Sequence, residues 1–297
     1  MERRNSGFLD EIIFPGGLRK AFTLSYDDGT IHDRRFIALL NKYRIKGTFN
    51  LNSGFFGLER KPKEGMFSRL DISVIDESEV PSLYEGHEVA GHGLTHVSPR
   101  DVGLSHAMYE TITDKANLER ITGKLIRGYA YPFGFYNEDV KNILRMAGYH
   151  YARAVEITHD FGIPEDFLEW QGTCRNVDPE LMDLAKEFCE NTGFLSFSKK
   201  LFYVWGHSYE FEGDQSWDQM EAFLKYMDEH REGIWFATNI EICEYVEAFR
   251  KLEYSADGDM VYNPTAVTVS LNRMGNTYTV KPGETVKLDL EPINKSF

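Results

Sequence analysis

Cysteine is scarce in this chain: three in 297 residues, at Cys174, Cys189 and Cys243, an odd number with no CxxC pair. That excludes a disulfide framework and a thiolate zinc site, and it suits a reducing compartment. Positive charge is also short, with 33 Lys and Arg against 47 Asp and Glu, a formal net charge of −14. Nucleic acid and anionic membrane surfaces call for a basic face, so neither is expected as a partner. No window approaches the ~18 uncharged apolar residues of a membrane-spanning helix. The opening "MERRNSGFLDEIIF" returns to charge before any apolar run of signal-peptide length, which points to the cytoplasm. Polar low-complexity stretches and internal repeats are missing too. A hydrophobic content of 42% with 14% aromatics describes a globular chain able to build a substantial core.

What the chain does have is rhythm. "KAFTLSY" is a β-favouring run ending at Asp27, "HDRRFIALLNKYRI" carries Phe36, Leu39, Leu40 and Tyr43 at helical spacing, and "KGTFNLNS" is a second strand. The alternation continues through strands at "HEVAGHG", "IRGYAYPFG", "YHYARAV", "KLFYVWGH" and "GIWFATN". Amphipathic helices lie between them, among them "NEDVKNILRMAG", closed by Gly148, and "DPELMDLAKEFCENT", with Asp178 as its N-cap. About seven such βα units predict an α/β fold, a distorted (β/α)7-type barrel rather than an open sheet. Past residue 255 the pattern becomes "TAVTVSL", "NTYTV" and "ETVKLDL", three short antiparallel strands. The expected division is therefore a barrel over 1–255 and a small β appendix over 256–297.

Two stretches carry chemistry. "LSYDDGT" sets Asp27 and Asp28 side by side behind an apolar run and before Gly29. Asp-Asp-Gly is good turn chemistry, but adjacent carboxylates repel, and one of them usually needs a cation or a proton. Barrel chemistry gathers at the carboxyl ends of strands, where Asp27, Asn52, Pro132 and His207 all fall. The second stretch, "GHGLTHVSP", places His92 and His96 four apart. On one helical turn or in a tight loop both imidazoles face one point, a spacing suited to a metal, although surface helices carry such pairs by chance. Gly93 follows the first His where a metalloprotease has Glu, so that motif fails. A site built on two His residues wants a third ligand, and a carboxylate serves.

The pairing of "SYDDG" with "HGLTH" resembles the polysaccharide deacetylases, the NodB-homology carbohydrate esterases of the family 4 type. The resemblance implies that Asp27 is the general base and that Asp28, His92 and His96 bind one divalent metal ion. Thr95 matches the small hydroxyl residue usual before the second His. "YAYPFG" is similar to the family's third motif, an Arg-x-Pro-aromatic loop lining the groove, and implies the Phe133 N–H as oxyanion donor. "FYVWGH" is similar to the final motif and implies His207 as general acid. The likeness covers roughly residues 15 to 255. It has departures: Ala130 stands where the Arg that tethers the base belongs, and Gly206 replaces an apolar residue before the His. Arg153 and Arg175 are candidates for the missing tether. Asp160, Glu169 and Asp178 are candidates for the carboxylate that orients the His.

The activity so implied is metal-dependent removal of an acetyl group from an N- or O-acetylated saccharide, small or oligomeric, by an activated water. Zinc is the first expectation for the metal, and the same ligands suit cobalt, nickel or iron. Tyr131, Pro132, Trp205 and Arg153 are the expected substrate-binding residues, with Phe133 and Tyr209 as further aromatic faces. Strand alternation, however, sends every second residue into a core. Two rivals are hydrolysis of non-peptide C–N bonds in a small cytosolic molecule on the same fold, and a non-catalytic carbohydrate-binding module. The intact set of Asp27, Asp28, His92, His96 and His207 argues against the module, because binding alone needs no base. A phosphatase or nuclease would want two metals and more carboxylates.

Overall fold

The computed structural model describes residues 10–61, 70–190 and 200–289; residues 1–9 and 290–297, at the outer ends of the two expected segments, lie outside the described residues. The chain divides into two compact units. One comprises Phe22–Glu232 and Phe236–Glu241, the other the residues up to Ala21, Gly233–Trp235 and those from Ile242 onward.

After β1 (Glu11–Ile13), which belongs to the smaller unit, strands and helices alternate. The order is β2 (Lys20–Asp27), α1 (Asp33–Lys42), β3 (Thr48–Leu51), α2 (Val80–Leu83), β4 (Glu88–Gly91) and α3 (Leu104–Thr122). Next come β5 (Gly128–Ala130), α4 (Glu138–Met146), β6 (Tyr151–Ile157), β7 (Trp170–Gly172), β8 (Cys174–Arg175) and α5 (Leu181–Cys189). The series ends with β9 (Leu201–Gly206), α6 (Ser208–Gly213), α7 (Trp217–Glu229) and β10 (Ile234–Phe236). The sheet order is β7-β6-β5-β4-β3-β2-β9-β8, with β10 also on β2. Neighbours from β2 round to β7 pair in parallel, as do β8 and β9. The two ends of this order, β7 and β8, are separated only by Thr173, whose N–H reaches the Tyr203 carbonyl at 2.8 Å. The sheet is thus nearly closed, the distorted (β/α)7-type barrel that the alternation predicts.

All eight residues of β2 are buried, as a strand covered on both faces requires. Its two faces differ. Phe22 packs on Phe202, Phe223 and Phe236, and Tyr26 packs on Phe36 and Phe211, so this face meets the helices through aromatic rings. Thr23, Ser25 and Asp27 alternate with them and face a polar column. There Thr23 donates to Asn239 Oδ1 (2.7 Å), Asn239 Nδ2 to Tyr203 Oη (2.7 Å) and Asn50 Nδ2 to Ser25 Oγ (2.7 Å). Glu88 accepts from Thr48 and Tyr151 at 2.9 and 2.8 Å. Buried polar groups are tolerable because they satisfy one another.

Helix ends follow their capping residues. Asn137 accepts the Val140 N–H at 2.9 Å to start α4, and Gly148 takes φ 79° just past its end. At α5 the cap differs from expectation. The helix begins at Leu181, while Asp178 accepts the Glu180 N–H at 2.9 Å and holds His159 at 2.8 Å. Among the described residues no helix is long and apolar enough to cross a membrane.

In the smaller unit, after α8 (Asn239–Arg250), come β11 (Glu253–Tyr254), β12 (Met260–Tyr262), β13 (Val269–Arg273), β14 (Asn276–Val280) and β15 (Thr285–Lys287). The three expected antiparallel strands are shared between two sheets, β1-β13-β14 and β11-β12-β15. Val261, Val269, Leu271, Val280 and Leu288 form the core beneath them. Arg273 grips Asp10 with two nitrogens at 2.6 and 2.7 Å.

Candidate active site and metal centre

Asp27 closes β2 and is 2% exposed. Its Oδ2 accepts from Arg153 Nη2 and its Oδ1 from Asn50 Nδ2 at 2.7 Å. Burial alone would raise the pKa of this carboxyl. Arg153, then His92 and His207, and the Asn50 hydrogen bond outweigh it and hold the group at about 2, fully ionised. Asp28 turns the chain through φ 76°, with its N–H on the Asn50 carbonyl at 3.1 Å, so the neighbouring carboxylates meet different partners. Asp28 Oδ1 lies 3.9 Å from His92 Nε2 and 3.8 Å from His96 Nε2.

His92 and His96 occupy a tight loop after β4, not a helix; Gly93 at φ 76° and His96 at φ 54° fold it back. Several side chains fix this loop. Asn52 Nδ2 donates to the carbonyls of His92 (2.6 Å) and Gly93 (2.7 Å). Glu110 of α3 accepts both the N–H and the hydroxyl of Thr95 at 2.7 Å. Asp114 accepts the N–H of His92 at 3.1 Å and of Ser53 at 2.8 Å. His92 Nδ1 lies 2.8 Å from the Ala130 carbonyl, which can only accept. Nδ1 therefore carries a proton, and Nε2 is the ring atom that faces Asp28 and His96. Burial, aided by His92, pushes His96 down to about 4, which leaves the His96 imidazole neutral near pH 7.

The donor atoms of Asp28, His92 and His96 all lie within 4.8 Å of one another. A transition ion takes such ligands at about 2.0–2.2 Å, so donor atoms this close together can share one ion. Two imidazole nitrogens and one carboxylate fit a divalent ion with coordination positions left open.

His207 follows β9. Its Nε2 is 3.9 Å from Asp27 Oδ2, and its Nδ1 is 3.3 Å from Glu210 Oε1. Glu210 also accepts the His207 N–H at 3.2 Å and pairs with Arg175. Burial works to lower the pKa of His207, but the Glu210 hydrogen bond, with Asp28 and Asp27, holds it above the ordinary value. The carboxylate beside this His is thus Glu210, which sequence reasoning missed. The signal was available as His-x-x-Glu, the spacing of a capping box, which this pair forms at the start of α6. The three sequence candidates are engaged elsewhere: Asp160 with the N–H groups of Phe161 and Gly162, Glu169 with Lys141, Asp178 with His159. The two candidate arginines divide the work, Arg153 on Asp27 and Arg175 on Glu210.

Pro132 is buried, and Phe133 after it takes φ 59°, is 56% exposed as a residue, and has its ring 4.6 Å from that of His96. Tyr131 is in the core instead of the groove, its hydroxyl donating to the Leu168 carbonyl at 2.9 Å and its ring stacked on Tyr136. Arg153 is likewise buried and committed to Asp27. Trp205 is 5% exposed beneath Arg153. Tyr209 lies with its ring 4.9 Å from that of His207. Gly206 has a packing reason: a Cβ there would lie 1.3 Å from Asn176 Oδ1. Cys174 is buried, which pushes its thiol up and removes it as a nucleophile.

A nearly closed α/β barrel thus carries an Asp-His-His set at the carboxyl ends of its strands. Residues 16–152, which hold Asp27, Asp28, His92, His96 and Pro132, match the family model described as polysaccharide deacetylase. The resemblance read from the motifs therefore stands. No curated protein matches the chain. Among solved structures, a candidate polysaccharide deacetylase from Mycobacterium smegmatis shares the fold, with a TM-score of 0.56 and 14% identity over 81% of this chain and 94% of that one. A family 4 acetyl xylan esterase from Clostridium thermocellum, in complex with a cobalt ion, has a TM-score of 0.49 and 14% identity over 75% and 90%. The Streptococcus pyogenes deacetylase PplD, in complex with acetate, has a TM-score of 0.40 and 18% identity over 46% of this chain. The match spans 56% of that protein's length.

Proposed function

We propose that the protein is a metal-dependent hydrolase that removes an acetyl group from an N- or O-acetylated saccharide. One observation carries this reading. An ionised, tethered carboxylate (Asp27) lies 3.9 Å from both His207 and His92, beside the ligand set of Asp28, His92 and His96. Held by those three residues, a divalent ion, zinc first, would supply Lewis acidity, lowering the pKa of water and polarising the acyl oxygen.

The chain's own groups do the rest. Asp27, held by Arg153 and Asn50, accepts the proton of the attacking water. The Phe133 N–H donates to the oxyanion, a contribution of about 2.7–4 kcal/mol for one such donor. His207, kept protonated by Glu210, passes its proton to the departing nitrogen or oxygen, a step worth roughly 10²–10⁴ in rate. One water is consumed, and acetate leaves with the free amine or hydroxyl. Asp27 is balanced by Arg153 and Glu210 by Arg175, which suits a neutral sugar. The exposed ring of Phe133, with Pro132 behind it, and Tyr209 beside His207 offer faces to that sugar. The scarcity of cysteine supports work in a reducing compartment on a soluble saccharide. Every residue named falls within the larger unit and within residues 1–255, the segment expected to hold the barrel.

Substituting Asp27→Asn tests the reading. Acetate release from acetylated sugars is expected to vanish while bound metal is kept, and retained activity would falsify the assignment of the base.

A further inference from the structure

Trp205 lies on β9 two residues before His207, a place that suggests a platform for substrate. Its surroundings point elsewhere. The guanidinium carbon of Arg153 is 4.3 Å from the indole centroid and that of Arg175 is 5.2 Å from it. Arg153 is the group that binds Asp27, and Arg175 is the group that binds Glu210, which in turn holds His207. The register of β8 on β9 sets Arg175 directly opposite Trp205. The indole edge also rests on Gly172, where a Cβ would lie 2.4 Å from Trp205 Cδ1 and 2.9 Å from Nε1. The ring is thus confined by a glycine and shared by two cations.

Two guanidiniums this close repel each other. An aromatic face attracts both, and each keeps its own carboxylate as counter-ion. We propose that Trp205 is a positioning residue: one indole holds both arginine tethers and thereby aligns the proton acceptor Asp27 with the proton donor His207. This role rests on the hydrolase reading above. It makes Trp205 part of the alignment of the reaction, not of the sugar site.

Trp205→Leu keeps an apolar side chain but removes the aromatic face, whereas Trp205→Phe keeps a face. Acetate release from N-acetylglucosamine oligomers by the zinc-loaded enzyme is the kinetic test. The Leu variant is expected to lose about 10- to 100-fold in kcat with KM within about twofold of wild type, and the Phe variant to recover most of the loss. A rise in KM at constant kcat would overturn the proposal by assigning Trp205 to substrate. Equal losses in the Leu and Phe variants would overturn it by reducing the role to packing. Trp205→Met, which fills space without an aromatic face, decides in place of a Leu variant that does not fold. Crystal structures of the variants give a readout independent of turnover. Release of Arg153 from Asp27 or of Arg175 from Glu210 supports the role, and both contacts unchanged overturn it. An inactive wild type would overturn the hydrolase reading; an active wild type with an equally active Leu variant would overturn only the role of Trp205.

Discussion

Replacing Glu210 with Gln removes one charge and almost no volume. Glu210 accepts from His207 at two points, 3.3 Å from Nδ1 and 3.2 Å from the backbone N, and it pairs with Arg175. Hydrogen bonds involving charged groups contribute roughly 1.5–3 kcal/mol, which is about 10- to 150-fold in rate if the whole loss falls on the transition state. The 3.3 Å contact is long for a charge-assisted bond, and Gln still offers an acceptor, so the lower end, roughly 10- to 30-fold in kcat, is expected. The pH dependence has a definite sign. Burial works to lower the pKa of His207 and Glu210 holds it up, so in the Gln variant it falls. A donor must be protonated, hence the basic limb of the kcat/KM profile moves to lower pH. Stability follows the same linkage. A histidine with a raised folded pKa contributes stability that is fully present below its unfolded value near 6.5 and lost as pH rises through the folded value. The gap between variant and wild type in urea denaturation should therefore narrow as pH increases, leaving the part due to Arg175. A basic limb that stays where it was in the wild type would refute the role given to Glu210.

Gly134 takes φ 74°, and a Cβ there would lie 2.2 Å from a Val155 methyl. Gly134→Ala should thus cost about 2–3 kcal/mol in urea unfolding and lower kcat by disturbing the adjacent Phe133; wild-type stability would contradict this. Asp33 is buried, and burial pushes its carboxyl from 3.8 up to about 7, against the hydrogen bonds from Ser208 and Tyr84. Here the folded state holds the proton more tightly, so stability falls as pH rises from about 4 to about 7, by at most about 4 kcal/mol. Asp33→Asn should flatten that fall, and parallel curves for the two proteins would count against it.

Strands written in β-branched and aromatic residues, such as "KAFTLSY" and "KLFYVWGH", were legible in the sequence. "WQGTCR" was not. Its strand state depends on Thr173 reaching Tyr203 across the barrel closure, a tertiary contact with no local pattern. The pairing of Asp27 and Asp28 with His92 and His96 was readable because each half is a compact motif. The tethers were harder, since Arg153 and Asp27 are 126 residues apart and only the closed barrel brings them together. Alternation along a strand also cannot say whether a ring faces the groove or the barrel interior. That is why Tyr131 and Trp205 read as sugar platforms while their side chains are buried.

Elemental analysis of protein purified without chelator reads out the metal centre itself. The wild type is compared with the double variant His92→Ala/His96→Ala. About one transition metal per chain is expected in the wild type, lost in the double variant. A wild type that takes up none, even with zinc or cobalt added, would contradict the metal centre.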